Sequence, residues 1–115
     1  MNFPELNMGQ VSKLFGFTYK QVRECFKDTE HHEALLLRDD FNTKHYNNTL
    51  SFKEVVVAKM ACDLKTMGFK RQGIKKVVES YMVGYGSFKL VDNGITVEVD
   101  YSKVEQAVKD AVKDD

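Results

Sequence analysis

In the stretch MGQVSKLFGFTYKQVRECF (residues 8–26), Thr18, Tyr19, Lys20, Gln21 and Arg23 follow a glycine corner closely. Hydroxyl, phenol, amide and cationic groups on one short helix are the donors that contact phosphate oxygens and base edges in a DNA groove. The N-terminus of such a helix also favours a phosphate through its unpaired N–H groups. Tyr19 and Lys20 are assigned to phosphate or groove-wall contacts, and Arg23 to a base edge or the backbone. Thr18 and Lys27 flank them on the same helix. The alternative for the whole set is an ordinary solvated face.

Other reactive side chains have simpler readings. His31 and His32 with Cys25 offer nitrogen and sulfur ligands, but adjacent histidines diverge on any regular backbone and the spacing forms no tetrahedral set. No metal site is expected. Cys25 and Cys62 lie far apart in the chain and outside any CxxC pattern. They are expected to be free, buried or half-buried thiols in a reducing compartment. A Gly-rich phosphate loop, a nucleophile elbow and paired carboxylates are all missing, so neither an enzyme nor a cofactor is expected.

The chain has 115 residues, 43% of them hydrophobic and 30% charged, which predicts one core with a small appendage. No apolar run approaches the roughly 20 residues that span a bilayer. The start, MNFPELNMGQ, lacks the basic end and apolar stretch of a signal peptide. A cytoplasmic protein is expected, nucleoid-associated if bacterial, with no membrane partner. The net charge of zero hides a gradient. Residues 31–80 carry nine basic against six acidic side chains, and residues 81–115 carry four against seven. A basic body with an acidic tail fits a DNA-facing part and a part that avoids phosphate.

The elements that must position these residues follow from periodicity. Asn7 caps a helix whose Met8, Val11, Leu14 and Phe15 share a face, with Gln10 placed for a capping box. Gly16 ends that helix, Phe17 plugs the corner and Thr18 caps a second helix that turns Val22, Cys25 and Phe26 inward. Residues 31–50 read as a β-hairpin. Ser51 and Glu54 form the capping box of a long helix with a stripe of Phe52, Val55, Val56, Met60, Leu64 and Met67. Beyond Gly68, a helix over about 70–81 buries Ile74, Val77, Val78 and Tyr81. Gly84 and Gly86 mark a break. Alternating Phe88, Leu90 and Ile95, Val97, Val99 around Asn93-Gly94 predict a second hairpin. Ser102 caps a last helix striped by Val104, Ala107, Val108, Ala111 and Val112.

Helix, glycine turn, helix, hairpin, long helix, helix is the order of a winged helix-turn-helix. In this order the chain resembles the DNA-binding domain of MerR-type transcription regulators. The resemblance covers residues 6–81 and rests on Gly16-Phe17-Thr18, Arg23 and LSFKEVVVAKMACDLKTMGFKRQGIKKVVESY, above all Gly68-Phe69 and Ile74-Lys75. The fold class it implies is mostly α with small β-hairpins: a winged helix-turn-helix followed by a β-hairpin and a C-terminal helix. Residues 1–82 would be the DNA-binding domain and 83–115 an appendage for dimerisation or partner binding. Arg38, Lys44 and His45 would flank a wing tip, where a cation is favoured beside DNA. Lys70 and Arg71, with Lys75 and Lys76, would anchor the flanking backbone.

The implied activity is sequence-specific binding of double-stranded DNA by a small transcription regulator without an effector domain. Two alternatives stand beside it. One is an architectural, recombination or segregation factor, and the other is an adaptor that binds a protein through its acidic tail. Val104, Val108, Ala111 and Val112 are expected to pair two protomers, because a symmetric dimer doubles the contacts over two half-sites.

Overall fold

The computed structural model describes residues 3–36, 49–92 and 94–114. Among them are five helices and two two-stranded antiparallel sheets, in the order β1 (Leu6–Asn7), α1 (Met8–Phe15), α2 (Tyr19–Glu24), β2 (Thr49–Leu50), α3 (Phe52–Thr66), α4 (Arg71–Val83), β3 (Ser87–Asp92), β4 (Ile95–Asp100) and α5 (Tyr101–Asp114). The mixed character and the helix order match expectation. Of the expected hairpin over residues 31–50, only 31–36 and 49–50 are among the described residues. Residues 31–36 form no strand, and β2 pairs with β1, Leu6 opposite Leu50 and Asn7 opposite Thr49. Residues 37–48 lie outside the described residues, so the wing positions Arg38, Lys44 and His45 do too.

Three helices begin on reciprocal capping boxes: Asn7 with Gln10, Thr18 with Gln21, and Ser51 with Glu54. Each satisfies two N–H groups that the helix itself leaves unpaired. The last helix departs from expectation. It starts at Tyr101, and the Asp100 carboxylate accepts from Lys103 N at 3.3 Å and from Ser102 Oγ at 2.8 Å. Asp100 therefore does the capping assigned to Ser102, and these hydrogen bonds, the one from Ser102 foremost, hold its carboxyl below the ordinary range.

α3 is the centre of the molecule. Val55, Val56, Val57 and Ala58 are all fully buried, a run that covers every side of the helix rather than one stripe. The reason is its surroundings, since α2, β2, α4 and α5 all pack on it. A helix that is apolar all round is a buried helix. The expected stripe overshot at its end, because Met67 is 60% exposed beyond the last turn.

The C-terminal hairpin pairs Leu90 with Val97 and Phe88 with Val99, which turns these four side chains to one face. That face meets α4 at Gly73, where a Cβ would stand 2.8 Å from Leu90 Cδ1. The buried cluster continues from Met8 through α3 and α4 to Leu90, Val99, Tyr101 and Val108, across the break at Gly84.

Two tyrosines fasten α5 to α4. Tyr101 Oη donates to the Val77 carbonyl at 2.6 Å, Tyr81 Oη donates to Glu105 Oε2 at 2.8 Å, and the ring centroids lie 5.1 Å apart. Burial, then the hydrogen bond and charge of Glu105, push the Tyr81 phenol well above its usual range, and burial moves Tyr101 the same way. The unfolded chain releases these protons first as pH passes the ordinary tyrosine value of about 10. Stability is then fully present below that value and falls as pH rises above it. Tyr81→Phe should flatten the alkaline decline in urea unfolding midpoint and cost about 1 kcal/mol at neutral pH through the lost hydrogen bond.

Candidate nucleic-acid interface

The corner between α1 and α2 is built by one left-handed residue. Gly16 has φ 75° and ψ 25°, and its N–H and that of Phe17 both return to the Ser12 carbonyl. A Cβ at Gly16 would meet nothing within 4 Å. The cost of Gly16→Ala is therefore conformational, about 1 kcal/mol in chemical unfolding, and Gly16→Asn should cost less. Phe17 packs against Phe15 with ring centroids 6.1 Å apart, and Lys59 Nζ lies 5.3 Å from the Phe15 ring centroid. The corner is thus tied to α3.

On α2, Val22 is buried, with Cys25 and Phe26 buried just beyond the helix end, as expected. Thr18 and Lys20 are exposed, Tyr19 and Arg23 half-buried, and Lys27 is exposed beyond the helix. The Lys20 side chain is 73% exposed, and its pairing with Glu24 at 3.9 Å is a loose one on the helix surface. Such pairs contribute well under about 1 kcal/mol, so the ammonium is readily redirected to another anion. The Thr18 oxygen accepts from Gln21 N at 3.1 Å and Gln21 Oε1 accepts from Thr18 N at 2.8 Å. These bonds occupy two N–H groups at the start of a helix only six residues long. Contacts to DNA from α2 fall to its side chains rather than its N-terminus.

α2 stops at Glu24, short of the expected reach to Lys27, because its last carbonyls are taken from outside. The Cys25 carbonyl accepts from both Leu35 N and Leu36 N at 2.9 Å, and Arg71 Nη2 donates to the Glu24 carbonyl at 2.8 Å. Arg71 also donates to the Glu33 carbonyl, from Nη2 at 2.6 Å and from Nε at 3.1 Å. Its guanidinium is spent holding residues 24–33 against α4. Lys75 pairs with the Glu33 carboxylate at 2.9 Å, while Lys70 and Lys76 remain exposed. Of the cations expected to flank DNA from α4, the structure thus engages Arg71 and Lys75 with the protein's own loop. No sequence signal marks Arg71 for that work, since its partners are backbone carbonyls 38 and 47 residues away.

Val108 is 0% exposed within the single chain, and Val104, Ala111 and Val112 are half-buried. Of the four positions assigned to a dimer contact, Val108 is already spent on the chain's own core. Among the described residues, no group of three or more His, Cys, Asp or Glu is placed to hold a metal ion, and no helix is long and apolar enough to cross a membrane. Comparison with protein-family profiles, with characterised proteins and with solved structures gave no match for this chain.

Proposed function

We propose that this chain binds double-stranded DNA as a small transcription regulator on a winged helix-turn-helix, with α2 as the recognition helix. The observation that carries the proposal is the α1–Gly16–α2 corner, which is locked onto α3 and leaves Thr18, Lys20 and part of Arg23 facing solvent. The β1–β2 pair supports it, because it joins the segment before α1 to the segment that follows residues 37–48, where a wing would lie. Exposed Lys70 at the start of α4 adds a cation for the flanking backbone. Two copies would read two half-sites, joined through residues 87–113 with Val104, Ala111 and Val112 as contact positions.

Purified protein is mixed with sheared genomic DNA, and the retained fragments are sequenced at two salt concentrations. Enrichment of a short inverted repeat that survives the higher salt is the expected result, with a dimer mass in light scattering. Uniform recovery lost at higher salt replaces the regulator with an architectural factor, because non-specific binding is carried by counterion release. No recovery at either salt overturns DNA binding and leaves the adaptor.

A further inference from the structure

Cys25 follows the last residue of α2 and Cys62 lies within α3. Both are 3% exposed, and both are free thiols. Although distant in sequence, they line the same cleft of about 250 Å³, whose walls include Gln21, Glu24, His32 and Arg71. Both cysteines border the cleft although each is nearly buried, so a local opening at this wall brings a small reagent to both sulfurs. The Cys25 sulfur also lies 3.4 Å from the Gln21 carbonyl oxygen, which holds it at the end of α2.

We propose that Cys25 and Cys62 are a dithiol site that reacts with low-molecular-weight disulfides of the glutathione type and closes to an intrachain disulfide. In the first step the Cys62 thiolate attacks one sulfur of the oxidised reagent. The S–S bond of the reagent breaks, one reagent thiolate leaves, and a mixed disulfide stands on Cys62. In the second step the Cys25 sulfur attacks Cys62 Sγ, the second reagent thiolate leaves, and the protein disulfide forms. Two protein thiols are oxidised, one reagent disulfide is reduced to two thiols, and the two protons lost by the cysteines are taken up by the products.

The order of attack follows from the environment. The neighbouring Cys25 sulfur draws the Cys62 thiol below its ordinary range, with Lys65 acting in the same direction against burial and Asp63. The Cys25 S–H donates to the Gln21 carbonyl, and the neighbouring Cys62 sulfur together with burial pushes Cys25 up. The thiolate is the nucleophile, so Cys62 is the sulfur that attacks first and Cys25 the one that resolves. The resulting bond would join the end of α2 to α3 at a residue whose carbonyl also anchors Leu35 and Leu36.

The site stands independently of DNA binding and is tested without DNA. Native full-length protein is equilibrated with reduced and oxidised glutathione at a series of ratios, quenched in acid, alkylated, and read by intact mass and peptide mapping. The monomer should lose both alkylatable thiols together and yield a linked Cys25–Cys62 peptide. Cys25→Ser should trap one glutathione on Cys62, and Cys62→Ser should slow glutathione uptake about tenfold or more. Wild-type protein that keeps two alkylatable thiols across the series, or that carries glutathione on both without closing, overturns the proposal. So does a disulfide that forms only between chains. The wild-type readout needs no variant, so a misfolded serine variant leaves the test decisive.

Discussion

Phe26→Ala is expected to lower the unfolding free energy by about 3–5 kcal/mol, the usual cost of deleting a buried aromatic side chain. Phe26 is the bulkiest of the fully buried side chains, and it lies just beyond the end of α2, where its N–H bonds the Arg23 carbonyl. Native domains hold only about 5–15 kcal/mol in all, so the variant should sit near the edge of folding at ordinary temperature. The damage should also be local. Residues 28–36 are tied down by the Cys25 carbonyl, by Arg71 through the Glu33 carbonyl and by the bond from Ala34 N to Asp28 Oδ1 at 2.7 Å, and the first of these anchors immediately precedes Phe26 in the chain. Urea unfolding measures the first effect, and amide exchange over residues 28–36 measures the second. A loss below about 1 kcal/mol would mean that the site collapses around the deletion and that α2 is not anchored by its end.

Lys20→Ala with Arg23→Ala should weaken DNA binding about tenfold or more and reduce the slope of log affinity against log salt by about 2. Each cation removed is one fewer phosphate neutralised, and counterion release converts that count directly into slope. The Lys20 change should cost no more than about 0.5 kcal/mol of stability, because its side chain is solvated and its ion pair with Glu24 is loose. Arg71→Ala supplies the contrast. It removes three charge-assisted bonds to the Glu24 and Glu33 carbonyls and should cost about 1.5–3 kcal/mol of stability. Below its unfolding transition it should leave the salt slope intact. An unchanged slope in the double variant removes α2 from the DNA surface, and a reduced slope in Arg71→Ala moves the interface onto α4.

Much of the local architecture was legible in the sequence because its causes are local. Asn7-x-x-Gln10 and Ser51-x-x-Glu54 each satisfy N–H groups within a single turn, and both boxes form as read. Gly16 and Gly84 stop their helices in the left-handed region, where a Cβ is penalised. Gly94 has φ 80° in the turn between the two alternating runs, which pair as expected. Val22, Cys25 and Phe26 are buried as their spacing suggested, the last two in the turn that follows α2.

What went unread depends on partners distant in sequence. β1 and β2 are two residues each, too short to show a period, and they exist because the chain returns to pair Leu6 with Leu50. The early end of α2 is decided by Leu35, Leu36 and Arg71 competing for its last carbonyls. Arg71 and Lys75 read as free basic groups, yet the fold sets Glu33 against both. Cys25 and Cys62 read as unrelated thiols, and only the packing of α2 on α3 makes them neighbours.

By itself, then, the sequence determined the capping boxes that start α1, α2 and α3, the glycines that stop α1 and α4, and that cations cluster after the Gly16 corner, since each rests on interactions within a few residues. The tertiary structure alone decided which of those cations still face solvent, where the short strands pair and which cysteines share a cleft. Those outcomes are set by contacts made across tens of residues, where chain closure brings together groups that no local pattern connects.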